Sequence, residues 1–264
     1  MGGSMGRVVV KHEHVVGADY SGLTLDKFSA EGSTFEGCVF DRSKVADAGF
    51  GSGMEQSQYI NCSFDRASLT SLGGYTRFIN CTFRNARFAG CIANYLEFVG
   101  CTFTGRITAL TMYGAFPSAE NRYRSVVASL ARQGRSEPPG YRRLALRERN
   151  EIRDNDFTAA ELIDVNFRFG VDLTAQRLPA GDDYLYLPDA ETTLLRGLAT
   201  LEHDSSPTAE SAVRYLRILL DKEIGTGQRQ LLLRAKDYER KKVIPPHIQL
   251  AVDVLRTKAA TGPY

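Results

Sequence analysis

The feature that most constrains this chain is an internal repeat. Four stretches share one pattern: an aromatic residue, a cysteine three positions later, and a phenylalanine two positions after the cysteine. These stretches are residues 35–40, 59–64, 78–83 and 98–103. A repeat of this kind indicates stacked units, because each short unit can bury its apolar face only against the next one.

Within the units, an apolar residue returns every five positions, as in Phe40, Val45 and Phe50. A spacing of five matches neither an amphipathic helix, with its period of 3.6, nor a strand, with its period of 2. It matches a chain that turns a corner every five residues, so that four corners close a coil of about 20 residues. The repeat therefore predicts a four-sided coil of very short strands.

The intervals between equivalent phenylalanines test this prediction. The interval is 19 from Phe64 to Phe83 and 20 from Phe83 to Phe103. From Phe40 to Phe64 it is 24, which predicts either an extra excursion of about five residues or a shift of face near residues 51–53. With strands about 4.8 Å apart, residues 18–108 would form four to five coils and a rod roughly 20–25 Å long.

The pattern resembles the pentapeptide-repeat family, whose consensus is similar to Ala-(Asp/Asn)-Leu-x-x. The resemblance covers residues 18–108 and 154–178, with Phe more frequent than Leu at the central position and Cys often in place of Ala. It implies a mainly β fold, a right-handed quadrilateral β-helix or pentapeptide-repeat solenoid. It implies no reaction.

The rest of the chain suggests helices around this core. Residues 1–17 are interpreted as a cloning scar at 1–4 followed by a capping segment, and residues 18–178 as the β-helix. Between about 113 and 153 the five-residue period is lost, which predicts a helical insertion with Ser118 as N-cap and a second helix near 141–151. Residues 181–188 are a boundary, and 188–264 are expected to form a C-terminal α-helical module, with Asp189 and Ser206 as N-caps. This module would be a cap on the rod or a homodimer contact.

Metal and cofactor sites are not expected. The cysteines at 38, 62, 81, 91 and 101 recur with the repeat, so they are predicted to be buried structural thiols; stacked disulfides and a zinc site were the alternatives. His12, Glu13 and His14 could present two imidazoles to a metal, but valines alternating nearby favour a starting strand.

The sequence contains no recognisable catalytic motif. The sequence lacks a phosphate-cradling glycine-rich loop, a nucleophile elbow and a histidine-rich metal helix, which favours a non-enzymatic protein. Neither a membrane-spanning run nor a secretory leader is recognisable, and the cysteines suit a reducing compartment, so a cytoplasmic location is expected.

The resemblance also implies a function. Some bacterial pentapeptide-repeat proteins are similar to a DNA duplex in shape and charge, bind DNA gyrase or other topoisomerases, and protect them from poisons, which gives antibiotic resistance. Residues 18–65 carry eight acids against three bases. The carboxylates expected to bind such a partner are Asp19, Asp26, Glu31, Glu36, Asp41 and Asp47.

The alternative is nucleic-acid binding through the insertion. Residues 109–153 carry nine arginines against four glutamates, with Tyr123 and Tyr141 interleaved, and arginines with aromatic residues suit phosphates and stacked bases. The expected contacts are Arg122, Arg124, Arg132, Arg135, Arg142 and Arg143. A smaller basic run at Arg240, Lys241 and Lys242 is predicted to be a helix end.

Overall fold

The computed structural model describes residues 6–70, 72–89, 94–116 and 118–260. The expected scar at residues 1–4, Cys91 and Pro117 lie outside the described residues. The strands are β1 Gly6–Lys11, β2 His14–Val16, β3 Thr24–Glu31, β4 Thr34–Glu36, β5 Lys44–Gly49, β6 Ser57–Ile60, β7 Ser68–Thr70, β8 Thr76–Ile79, β9 Thr82–Arg84, β10 Arg87–Ala89, β11 Leu96–Val99, β12 Thr102–Thr108, β13 Thr111–Tyr113, β14 Ile152–Arg153, β15 Asn155–Ile163, β16 Asn166–Arg168, β17 Gln176–Arg177, β18 Tyr184–Leu187 and β19 Leu231–Arg234. The α-helices are α1 Ala119–Arg132, α2 Tyr141–Ala145, α3 Ala190–Leu201, α4 Pro207–Lys222 and α5 Pro246–Ala260.

Most strands lie in parallel sheets whose members come from successive passes of the chain. The largest sheet in the described ranges has the order β1-β3-β5-β7-β10-β12-β15-β17, with β9 also paired with β12; a second has the order β14-β11-β8-β6-β4-β2. Strands β13 and β16 form a further parallel pair. The predicted mainly β fold is confirmed as parallel sheets with some helices, an arrangement compatible with a parallel β-solenoid.

The register gives the length of each pass. Phe35 pairs with Tyr59, Tyr59 with Phe78, and Phe78 with Phe98, so the step along the chain is 24, then 19, then 20. We call one such step a coil and residues 6–113 with 152–177 the stack. The longer step contains residues 50–56, which lie outside the strands, so the excursion predicted near residues 51–53 is confirmed.

One corner of the coils shows why the chain turns where it does. Gly17, Gly37, Asn61, Asn80 and Gly100 occupy equivalent positions with φ between 51° and 64°. Glycine and asparagine adopt this left-handed conformation at the lowest cost, and one such residue ends a strand. The N–H of each donates to a carbonyl of the following coil at 2.8–3.0 Å, so the corner stays hydrogen-bonded.

The interior of the stack is a set of aromatic columns. In one column the ring centroids are 4.8 Å apart for Tyr20–Phe40, 4.8 Å for Phe40–Phe64, 5.1 Å for Phe64–Phe83, 4.9 Å for Phe83–Phe103 and 4.5 Å for Phe103–Phe157. Strands in a sheet are separated by nearly the same distance, so stacking the coils also stacks the rings. These phenylalanines are fully buried.

The cysteines occupy a neighbouring column. Cys38, Cys62, Cys81 and Cys101 are free and buried, so the prediction of structural thiols is confirmed for these four. Each thiol donates to a carbonyl of the preceding coil; for Cys81 the acceptor is the Tyr59 carbonyl, 3.2 Å away. Burial raises the pKa of the Cys81 thiol, which keeps it protonated at neutral pH.

Residues 114–151, which we call the insertion, leave the stack between β13 and β14 and contain α1 and α2. Ser118 occupies the N-cap position of α1, as predicted, but its side chain makes no capping hydrogen bond. The second helix ends at Ala145, earlier than expected. The insertion rests against the 50–56 excursion, where Met54 packs in one cluster with Tyr123 and Tyr141. The excursion in turn lies close to residues 74–75 of the stack: a Cβ on Gly51 would lie 1.9 Å from the Tyr75 carbonyl oxygen.

The C-terminal module covers one end of the stack. Helices α3, α4 and α5 bury a core of their own, and Asp189 and Ser206 cap α3 and α4 as predicted. The expected boundary at 181–188 instead contains β18, which pairs antiparallel with β19. Tyr184 on β18 accepts a hydrogen bond from the Leu162 N–H at 2.9 Å. These contacts are those of a cap.

One local prediction holds in part and another is wrong. The predicted starting strand is present as β1, but His12 has a φ of 51° and forms a turn that separates β1 from β2, so the strand is interrupted at the histidines. Lys241 and Lys242 have φ values of 50° and 64° and form a turn, not a helix end. Left-handed residues end regular structure at both places, although none of the three is glycine.

Candidate macromolecule-binding surfaces

The carboxylates expected to bind a partner lie around the stack. Asp26, Glu31, Glu36 and Asp41 are five residues apart, and a step of five leads around a coil to the next side. A stripe along one side requires a step of one whole coil. The structure therefore distributes these four groups in different directions and does not gather them into one acidic stripe.

Three of the six expected carboxylates have a basic side chain of an adjacent coil beside them. These pairs are Lys11–Glu31 at 2.8 Å, His14–Glu36 at 3.1 Å and Lys27–Asp47 at 3.0 Å. All are partly or largely solvent-exposed, so each contributes little to stability. The two lysines reduce the net negative charge that a partner would meet beside Glu31 and Asp47.

Asp19 and Asp41 lie on one side of the first coils. Hydrogen bonds from Ser21 hold the pKa of Asp19 below its usual value, and the Asp41 carboxylate accepts the Asp65 N–H at 2.9 Å. Asp41, Asp65 and Arg84 form a column on successive coils. The Arg42 N–H donates to the Asp65 carbonyl, and the Arg66 N–H donates to the Arg84 carbonyl. The charge along this side is therefore negative on the first coils and becomes positive at Arg84.

The arginines of the insertion divide into two groups. The guanidinium of Arg122 lies 4.5 Å above the ring of Tyr95, and that of Arg142 lies 5.8 Å from the ring of Tyr123. These two therefore take part in packing, by cation–π contact. Of the others, Arg124 pairs with Glu120 at 2.9 Å, and Arg132, Arg135 and Arg143 are exposed.

Arg147, which was not among the expected contacts, anchors the insertion to the stack. Its guanidinium lies 3.5 Å from the Glu97 carboxylate and 5.1 Å from the ring of Tyr75, and it donates to Asn150 at 2.7 Å. Burial lowers the pKa of Arg147 and raises the pKa of Tyr75 to about 12. Glu97, whose side chain is 7% exposed, also accepts from Gln56 of the excursion at 2.7 Å.

A basic side on the stack itself was not among the expected contacts. Six exposed cations gather on adjacent coils: Arg42, Lys44, Arg66, Arg84, Arg87 and Arg106. Lys44 pairs in register with Ser68, Ser68 with Arg87, and Arg87 with Thr108. The signal in the sequence is a step of about one coil between cations, as between Arg42 and Arg66, which a search for contiguous charge does not find.

The histidines do not form a metal centre in the described part of the chain. His12 Nε2 lies 2.6 Å from Glu55, whereas His14 lies beside Glu36, so the two imidazoles are held by different carboxylates. No group of three or more His, Cys, Asp or Glu side chains able to hold a metal is found among the described residues.

No helix in the described ranges combines the length and apolar character needed to cross a lipid bilayer. Comparison with models of known protein families finds no family that matches this chain. A search of curated proteins likewise finds no match.

Proposed function

We propose that this chain is a non-enzymatic macromolecule-binding scaffold of the pentapeptide-repeat type. In this proposal the stack is a right-handed quadrilateral β-helix. Coils of nearly constant length, inward side chains five apart and a column of left-handed corner residues support it. An experimental structure checks the handedness and the number of sides.

One observation carries the function: outward side chains form ordered columns on a core that is closed by aromatic stacking. Lys44, Ser68, Arg87 and Thr108 lie in register on four successive strands. Such columns repeat at about 4.8 Å on a support with little freedom to deform. A surface of this kind suits recognition of another extended macromolecule.

The first candidate partner is a topoisomerase, bound as it would bind DNA. Asp19 and Asp41 favour this candidate because they share a side, and neither has an ion-pair partner within the described residues. Regular carboxylates on a rigid rod could occupy a cationic DNA-binding surface. Binding there would exclude DNA and protect the enzyme from poisons that act on the cleavage complex.

A gyrase pull-down and a supercoiling assay with and without a poison test this candidate. We expect micromolar protein to protect the enzyme and the double variant Asp19→Asn/Asp41→Asn to lose protection. Glu31→Gln/Glu36→Gln is the matched control, because it removes the same charge from two other sides. Absence of binding and protection by the wild type would refute the topoisomerase candidate.

The second candidate is nucleic-acid binding through the insertion. Arg132 and Arg135 favour it, because both are exposed near the end of α1 and no carboxylate pairs with either in the described residues. Binding by Arg132→Gln/Arg135→Gln, measured against salt concentration, tests this candidate: phosphate contacts predict a shallower salt dependence in the variant.

A further inference from the structure

We propose that the basic side of the stack binds the phosphate backbone of a nucleic acid, independently of the insertion. The inference rests on the proposed scaffold function and names both a surface and a partner class for it. It starts from the six cations that the register brings together, which belong to the repeat and not to α1 or α2.

The cations occupy neighbouring columns on adjacent coils. Lys44 and Arg87 belong to one column, two strands apart, with Ser68 between them. Arg42 and Arg66 occupy the adjoining corner on successive coils, both with a φ of 58°. The side spans about 15 Å along the stack, given strands about 4.8 Å apart, which is long enough to meet several phosphates of one strand.

Most of this charge is available to a partner. No carboxylate in the described residues forms an ion pair with Arg66, Arg87 or Lys44. Arg84 and Arg106 have only long contacts, at 3.6 Å to Asp65 and 3.8 Å to Glu161, and their side chains are 62% and 70% exposed. A phosphate oxygen can compete for guanidinium groups held this loosely.

A shallow depression lies within the same side. It has a volume of about 590 Å³ and its lining includes Asn85, Arg87, Arg106 and Thr108 together with one carboxylate, that of Asp164. Asn85 accepts the Arg106 N–H at 2.9 Å, which fixes the backbone beside the arginine. Amide, hydroxyl and guanidinium groups together are typical of contacts to phosphate and sugar.

The composition of the side favours nucleic acid over a lipid surface. Five of the six cations are arginines, whose planar fork binds phosphate with two hydrogen bonds. Among the large apolar residues exposed within the described ranges, Leu23 borders the cations, since its carbonyl accepts the Lys44 N–H at 2.8 Å; it is a single side chain and not an apolar patch. Membrane-surface binding requires apolar side chains that insert beside the charges.

Fluorescence anisotropy with labelled 20-base single-stranded and 20-base-pair duplex DNA, between 50 and 200 mM NaCl, tests the proposal. For three to four phosphate contacts we expect the logarithm of the duplex binding constant to fall with the logarithm of salt with a slope of about −3. The variant Arg66→Gln/Arg87→Gln should bind more weakly, with a slope shallower by about 2. Circular dichroism should show it folded, since both side chains are exposed.

Three comparisons make the result decisive. Arg7→Gln/Lys11→Gln removes the same charge from the first coil and should keep wild-type binding. Loss of binding in Arg132→Gln/Arg135→Gln alone would assign binding to the insertion and overturn the proposal, as would equal weakening in the Arg7/Lys11 variant. Equal affinity for polyglutamate would show that the side recognises only negative charge, which also overturns it.

Failure of this proposal is distinct from failure of the scaffold function. If neither DNA binds at 50 mM NaCl but gyrase is captured through Asp19 and Asp41, the phosphate-binding side is refuted and the scaffold stands. If DNA binds through Arg66 and Arg87 and gyrase does not, the scaffold has a nucleic-acid partner.

Discussion

Phe64 shows how a single side chain serves the whole stack. Its ring stacks on Phe40 at 4.8 Å and on Phe83 at 5.1 Å, and meets Phe78 edge-on at 5.4 Å. It therefore joins three coils through one fully buried group. Removing it leaves a void that the neighbouring rings, held by their strands, can fill only in part.

We expect Phe64→Ala to lower the free energy of unfolding by about 3–5 kcal/mol, measured by urea denaturation. Phe64→Leu, which keeps most of the volume, should cost clearly less. The control Val16→Ala, at a side chain that is 67% exposed, should change stability by less than about 0.5 kcal/mol. Equal effects at the two sites would contradict the aromatic column as the main support.

Because of Tyr75, the stability of the folded protein is expected to depend on pH in the alkaline range. Its pKa is raised to about 12 by burial, whereas an unfolded tyrosine ionises near 10. The stability that it contributes is therefore complete below pH 10 and is lost as the pH rises towards 12. In urea denaturation between pH 9 and 11.5, Tyr75→Phe should lose less stability than the wild type.

At the scale of elements, a buried glutamine is one of the groups that join the C-terminal module to the stack. Gln228 accepts the N–H groups of Gly170 and Val171 at 3.0 Å and donates to the carbonyls of Val171 and Gln230 at 2.9 and 2.8 Å. The side chain thus replaces the next strand for the last coil.

Gln228→Leu should lower the free energy of unfolding by about 3 kcal/mol or more, because it leaves several buried backbone groups without partners. Thermal denaturation followed by circular dichroism checks this. Gln249→Leu is the matched control, since Gln249 is exposed on α5 and its side chain bonds only Asp253. A similar loss in both variants would argue against the capping role of Gln228.

The coarse fold could be predicted because each inward position is marked by its own residue type. Phe40 and Phe64 are 24 residues apart, which indicated the longer step, and the glycines of residues 51–53 indicated where it lies. The turn at His12 could not be predicted, because a histidine with positive φ resembles any other histidine in the sequence. The β18–β19 pair was missed, although Tyr184 to Leu187 alternate in burial as a strand does.

The candidate surfaces were harder to predict, because charge was counted along the chain. Asp26 and Glu31 are close in sequence but point in different directions, whereas Lys44 and Arg87, far apart in sequence, share a column. The insertion arginines were expected at the surface, yet Arg122 and Arg142 lie against tyrosines. Only the register of the coils relates position in the chain to position on the surface.

At the scale of the whole molecule, the two ends of the stack differ. The last coil is covered by the C-terminal module, whereas β1 and β2 are the outermost strands of their sheets within the described residues. In stacked repeats each coil is stabilised mainly by its neighbours, so a coil with one neighbour opens most easily.

Native-state hydrogen exchange should therefore be graded along the stack. Amides of β1 should exchange faster than those of β8, which has paired strands on both sides. The prediction is checked by mass spectrometry of peptic peptides from the intact protein. Uniform protection from β1 to β11 would mean that the stack opens as one cooperative unit.

The register also makes molecular length adjustable in fixed increments. Val15 pairs with Phe35 and Val16 with Glu36, so excision of residues 16–35 would place Glu36 where Val16 now stands. Every later side chain would keep its inward or outward direction, and the product would be a rod shorter by one strand spacing. Excision of residues 16–34 would instead place the buried ring of Phe35 at the exposed position of Val16, so gene shortening would be tolerated only in whole turns.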